Sequence, residues 1–215
     1  MPRLVEEYRA AAERAMRAGF DAVEVHAANG YLLHQFLDPD ANRREDEYGG
    51  SPHARARFVI EVVQAVADAI GADRVGIRLS PGHQFNGIVE SDPQDVAQTY
   101  RAVVDGIAPL GLAYLSILAA HGTELPSELS ERFGGSVLLN DGFSDVTSLD
   151  DVERVLGRGL ADAVVVGRPF LANPDLPARW RDGQETNEPD SATFYGGGEQ
   201  GYTDYPTVQE LRRAG

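Results

Sequence analysis

The sequence predicts an α/β protein built on a parallel sheet with right-handed crossovers. Three observations carry that prediction. Short β-branched or apolar runs alternate with helical segments through the body of the chain, as a repeated strand–helix unit requires. Glycines close the helical segments at Gly19, Gly71 and Gly157. Polar side chains gather just beyond the apolar runs, at the carboxyl ends of the strands, where open α/β sheets and barrels keep their chemistry.

In order, Leu4 to Ala18 has helical spacing, with Leu4, Tyr8, Ala11 and Ala15 on one face. A strand over Ala22–His26 follows, and the Asn29-Gly30 dipeptide then turns the chain. Phe36 to Ser51 reads as a polar loop whose length marks it as functional or bracing. Its acidic residues Asp38, Asp40, Glu45, Asp46 and Glu47 are expected to be solvated or paired with Arg43 and Arg44. Ser51-Pro52 caps a helix over His53–Ile70, in which Phe58, Val59, Val62, Val63, Val66 and Ile70 form a continuous face. Val75–Ser80 is a second strand, Pro81–Asp92 a polar loop, and Pro93–Ile107 a helix. Strands follow at Ala113–Leu118, Val137–Leu139 and Ala161–Val166, with helical spacing over Ser148–Leu156 and a short helix within Pro169–Pro174. Beyond Trp180 the chain is polar with glycines and tyrosines, which predicts one α/β unit over residues 1–180 and an irregular tail over 181–215 folded against it.

Composition narrows the chemistry. With no cysteine among 215 residues, disulfides, thiolate metal sites and cysteine nucleophiles are excluded. All 19 basic residues are arginine, so lysine Schiff bases and a P-loop lysine are excluded as well. A net charge of −15 argues against nucleic acid and anionic membrane as partners. No apolar run approaches the ~20 residues of a membrane span. Met1-Pro2-Arg3 leads into a charged amphipathic helix instead of a signal peptide, so the expected location is cytoplasmic. His34, His53, His83 and His121 share no ligand spacing, and Gly196-Gly197-Gly198 lies in the tail, so neither a metal nor a Rossmann dinucleotide site is expected.

Three constellations remain. His26 and Asn29, across a strand end, can both donate hydrogen bonds to one carbonyl or nitro oxygen and so polarise an adjacent C=C. The Tyr31 phenol can then protonate the carbon left negative. Spacing alone leaves the plainer reading ahead: a buried histidine, an Asn-Gly turn and a core tyrosine. Arg78 is the one charge inside an otherwise apolar strand. It faces either an electron-rich cofactor ring or a carboxylate on a neighbouring strand. Asp141-Gly142 and Gly167-Arg168 end two successive strands, the position at which barrels bind phosphate.

The chain resembles the old yellow enzymes, FMN-dependent ene-reductases, in several blocks in the right order. These are VEVHAANGYLLHQFLDPDANRREDEYGGS at Val23–Ser51, ARFVIEVVQAV at Ala56–Val66, RVGIRLSP at Arg74–Pro81, VVVGRPFLANPDL at Val164–Leu176 and TFYGGGEQGYTDYP at Thr193–Pro206. The resemblance implies a (β/α)8 TIM barrel of the FMN-linked oxidoreductase type. It implies FMN as cofactor, NADH or NADPH as co-substrate and a small electrophilic alkene as substrate. His26 and Asn29 would hold the substrate's electron-withdrawing group, and Tyr31 would protonate the carbon α to it. Arg78 would contact the pyrimidine end of the flavin. Asp141, Gly142, Gly167 and Arg168 would bind the FMN phosphate, and Phe194 and Tyr195 would cover part of the site from the tail.

Against that pattern the chain carries five strands, the family's fourth to eighth, with Met1 at the start of the helix before the fourth. The expectation is therefore an incomplete barrel of five β/α units from a truncated gene or a mis-assigned start, weak or inactive alone. The alternatives are a non-catalytic remnant that needs a separately encoded N-terminal half, and a phosphate-binding barrel isomerase or aldolase. Two open sheet edges also leave homo-oligomerisation open.

Overall fold

The computed structural model describes residues 1–120, 122–143, 145–196 and 198–214, and of Asp141 and Ala214 the backbone only. Its centre is a five-stranded parallel sheet in the order β1-β2-β3-β4-β5, formed by β1 (Val23–Ala27), β2 (Val75–Leu79), β3 (Tyr114–Ala119), β4 (Val137–Asp141) and β5 (Ala163–Val164). Strand order equals chain order, as successive right-handed β/α units demand.

One face of each of the first four strands buries its apolar residues under helices. Val25 and Ala27, then Val75, Ile77 and Leu79, Leu115 and Ile117, and Val137 and Leu139 pack there. They meet α3 (Pro52–Ile70), which contributes Phe58, Val59, Val62, Val63 and Val66, and α4 (Pro93–Ile107), which contributes Val96, Tyr100, Val103, Val104 and Ile107. Each fully buried Val, Leu, Ile or Phe contributes about 1.5–3 kcal/mol before chain entropy is counted. α1 (Pro2–Arg17) flanks α3, and α5 (Leu125–Phe133) flanks α4, so the helices form one layer outside the sheet.

Local chemistry sets the helix starts. The Ser51 hydroxyl accepts the Ala54 N–H, Asp92 accepts the Gln94 N–H, and proline occupies the first position of both α3 and α4. Ser148 and Asp151 form a reciprocal capping box before α6 (Leu149–Gly157).

Several elements differ from the sequence reading. A short helix, α2 (Leu32–Leu37), interrupts the segment after Gly30, and α5 occupies a stretch read as having no element. β5 pairs over two residues instead of the six expected. Past it α7 (Arg168–Ala172) is the short helix expected there and α8 (Leu176–Arg181) follows, while α9 (Val208–Ala214) means that the tail is not irregular throughout. Buried Arg179 fastens that tail. It pairs with Asp175 and donates to the carbonyls of Glu185 and Pro206. Beside it the Asn173 carboxamide donates to the Asn187 carbonyl and accepts the Asn187 N–H.

Asp38 is also not a solvated loop carboxylate. It is fully buried and accepts the N–H groups of Asp40 and Val89. Arg43 pairs with Asp40 and Arg44 with Asp46, as the loop's charge pattern suggests.

Candidate active site

Strand alternation sends the second set of side chains to the face away from the helices. The register places Glu24, Gly76 and Tyr114 side by side, and His26, Arg78, Ser116 and Leu138 in the next row toward the carboxyl ends. Gly76 is required in the first row because a Cβ there would lie 2.3 Å from the Tyr114 ring. Tyr114 thus fills the space beneath Arg78, and burial together with Glu24 pushes its phenol up to about 12.

Arg78 donates to Ser116 Oγ at 3.0 Å and to Asn140 Oδ1 at 3.2 Å. Both partners are neutral. The expected alternative, a carboxylate partner on a neighbouring strand, is absent among the described residues; Glu24 acts on Arg78 through its field, and burial lowers the guanidinium pKa. A desolvated cation held by neutral acceptors retains most of its capacity to bind an anionic or electron-rich group.

The space in front of Arg78 is a cleft of about 280 Å³. Asn29, Asn140, Gly142, Gly167 and Arg168 line it, with His83 and Phe85 from the loop after β2 and Thr147 from the loop after β4. Five residues read from the sequence as substrate or cofactor contacts, Asn29, Arg78, Gly142, Gly167 and Arg168, therefore converge. Gly167 opens α7, but the start of that helix offers little to an anion: Pro169 has no N–H, and the Phe170 and Leu171 amides donate to the Gly167 carbonyl, which leaves the Arg168 N–H. Gly142 departs from the expectation of a phosphate-binding N–H. Its N–H already donates to the Ala119 carbonyl at 2.8 Å, extending the β3–β4 pairing by one residue. The Asp141 side chain lies outside the described residues.

His26, which pairs in register with Arg78, and Tyr31 are not among the residues that line the cleft; their ring centroids lie 5.3 Å apart. Tyr31 precedes α2 and is 56% exposed, so it is not the core tyrosine of the plainer reading. Phe194 and Tyr195 are not brought to the cleft. They follow a 3-10 turn that Asp190 caps within the tail, and they pack edge to face on each other, with Tyr195 fully exposed.

Asn29 adopts φ +55°, and its backbone is pinned from both sides. Its N–H donates to Ser80 Oγ, and its carbonyl accepts from Asn86 Nδ2. Behind it runs a buried relay that single-sequence reasoning missed. The Gly30 N–H donates to His34 Nδ1, His34 Nε2 meets the Tyr100 hydroxyl at 2.9 Å, and Tyr100 donates to Glu90, which also accepts the Gly82 N–H. Ser116, Asn140 and His83 were missed too. Ser116 was findable, as the one polar residue in the Tyr114–Ala119 strand facing the same way as Arg78.

His26 and His83 both have pKa values lowered from 6.5. Burial is the largest cause for each, and the Arg78 charge adds to it. The fold thus prefers both rings neutral. The unfolded chain binds their protons more readily, so their stability contribution is complete above about pH 6.5 and is lost as pH falls from there toward the folded pKa. Thermal unfolding should show a flat midpoint from about pH 8 to 7 and a decline below about 6.5, and replacing both histidines with glutamine should flatten that decline.

Among the described residues no helix is long and apolar enough to cross a membrane, and no group of three His, Cys, Asp or Glu is placed to hold a metal. The sequence model of the NADH:flavin oxidoreductase / NADH oxidase family matches residues 2–187. The chain belongs to this family. A probable flavin mononucleotide-dependent alkene reductase from Leishmania infantum is 43% identical over 208 residues, covering 94% of this chain and 54% of that protein. Putative 12-oxophytodienoate reductase 10 of Oryza sativa subsp. japonica is 38% identical over 227 residues, covering 98% of this chain and 69% of its own length. The solved structure of morphinone reductase superposes with a TM-score of 0.88 at 44% identity, covering 98% of this chain and 56% of that one. The chain thus spans about half the length of the first relative and of the solved structure, and its five-stranded parallel sheet corresponds to part of their barrel.

Proposed function

We propose that this chain carries the substrate-gripping and proton-donating side of an FMN-dependent reductase. Its reaction would be reduction of the C=C bond of α,β-unsaturated carbonyl or nitro compounds with NADH or NADPH. The observation that carries this reading is Arg78: a half-buried cation with neutral partners, opening onto the cleft beside Asn29. That donor set suits the electron-poor pyrimidine end of a flavin, where negative charge accumulates on reduction. The Arg168 guanidinium at the cleft rim suits its phosphate.

FMN, when bound, supplies the hydride chemistry. The chain's own residues do the rest. His26 and Asn29 donate hydrogen bonds to the substrate's carbonyl or nitro oxygen and draw charge from the alkene, leaving its far carbon electrophilic. A neutral His26, favoured by its lowered pKa, still has a ring N–H to donate. Tyr31 holds the proton that goes to the carbon next to the electron-withdrawing group. Glu24 and Tyr114, beneath Arg78, close that end of the space. A cytoplasmic location, where reduced nicotinamides are available, fits this reading.

The test is flavin binding by the chain itself, read from quenching of FMN fluorescence on titration. Arg78→Met should weaken FMN binding roughly tenfold to a hundredfold, the worth of one or two charge-assisted hydrogen bonds. It should not lower thermal stability, because it also removes a desolvated cation from a site without a carboxylate partner. Equal FMN affinity in the two proteins would count against the assignment.

A further inference from the structure

We infer that His83 is a positioning residue for Asn29, holding its carboxamide so that the NH2 group faces the cleft. This rests on the reading of Asn29 as a donor to substrate. An asparagine amide offers a donor on one side and an acceptor on the other, and only the NH2 side can grip a carbonyl oxygen. Left free, the group can turn and present Oδ1, which would repel the substrate. What occupies Oδ1 therefore decides whether the grip works.

His83 Nδ1 lies 3.2 Å from Asn29 Oδ1. Because a carboxamide oxygen only accepts, His83 must offer an N–H at Nδ1. The backbone of Asn29 is already fixed by Ser80 and Asn86, so the side-chain torsions are its remaining freedom. His83 itself is held as a rigid donor. Its ring stacks on Phe143 at 4.5 Å between centroids and on Phe85 at 5.5 Å, within 3° of parallel.

The loop carrying His83 is anchored at both ends, by Gly82 N–H to Glu90 and by Val89 N–H to Asp38. It presses on the Asn29 turn so closely that a Cβ on Gly30 would lie 2.5 Å from Asn86 Cβ. The charged and titratable groups acting on the ring are His34, Arg78 and Glu90. With burial they leave it disposed to be neutral, so it carries a single N–H whose position the Asn29 oxygen selects.

Two measurements test this. In long-range 1H–15N spectra of the labelled chain near neutral pH, His83 should be the Nδ1–H tautomer. Asn29→Ala should abolish that preference, and Asn29→Asp should make His83 roughly tenfold easier to protonate, since a carboxylate then faces it. An Nε2–H tautomer indifferent to both substitutions overturns the proposal. This measurement needs no flavin, so it stands even if the chain fails to bind FMN, an outcome that would refute the functional reading alone.

In the FMN-loaded protein, His83→Ala should raise KM for 2-cyclohexenone roughly tenfold, the worth of one well-placed hydrogen bond, and His83→Gln should restore part of it. In an Asn29→Ala background His83→Ala should add nothing. An unchanged KM, or effects that add across the two sites, would mean His83 does not act through Asn29.

Discussion

Tyr31→Phe is expected to slow reduction of 2-cyclohexenone by the FMN-loaded protein by roughly 10²–10⁴-fold, while flavin reduction by NADH keeps its rate. The substitution removes one oxygen and keeps the ring, so the 5.3 Å contact with His26 persists. Tyr31 is more than half exposed, so stability should move by less than about 0.5 kcal/mol. The effect should therefore fall on the proton delivered to carbon and nowhere else. Stopped-flow measurement of the two half-reactions separates them. If both half-reactions keep their rates, another group is the donor. If both slow together, Tyr31 shapes the site instead of supplying the proton.

The second large effect is on stability. Arg55 is 2% exposed, and its guanidinium joins three parts of the fold. It donates to the carbonyls of Leu37 and Gly50, which bracket the loop over residues 38–50, and to Asp95 and Thr99 on α4. Arg55→Met should cost about 3–5 kcal/mol in urea unfolding, because it strands a partly buried carboxylate and two carbonyls at once. Asp95→Asn keeps a hydrogen-bonding partner and should cost about 1 kcal/mol. Limited proteolysis should also cut the Arg55→Met protein within residues 38–50 before any other segment. Equal midpoints for the two variants would show that the pair with Asp95, not the bridge to the loop, carries the stability.

The contrast between Arg55 and α3 shows which parts of this fold a single sequence displays. The start of α3 is legible because Ser51, Pro52 and the apolar positions that follow are neighbours along the chain. β2 is legible for the same reason, and so is the oddity of Arg78 within it. The side chains that Arg55 bonds, Asp95 and Thr99, are 40 and 44 residues away, and the Tyr100 hydroxyl that meets His34 is 66 residues away, so nothing local announces them. Asp38 was misread on these grounds: a carboxylate in a polar loop looks solvated until the amide of Val89 is folded onto it. α5 was within reach, since Leu125, Leu129 and Phe133 repeat every four residues, but Pro126 and two serines obscure the pattern. In the site, the strand-end residues Asn29, Arg78 and Gly167 could be read from position. So could the place of Gly142, but not the use of its N–H, which is claimed by Ala119 in a bond that exists only once β3 and β4 lie side by side.

The two buried carboxylates beneath the loop after β2 separate its anchorage from its content. Glu90 and Asp38 grip the main chain at Gly82 and Val89, and they do so through amides that every residue except proline possesses. Between them His83 and Phe85 present their side chains to the cleft and Asn86 to the Asn29 turn. The span behaves as an interchangeable cassette: its letters can be rewritten while its hinges stay shut. Divergence of substrate preference within such a lineage would then concentrate in these few positions, leaving the relay through His34 and Tyr100 untouched, and a library confined to residues 83–86 would sample new pockets on an unaltered frame.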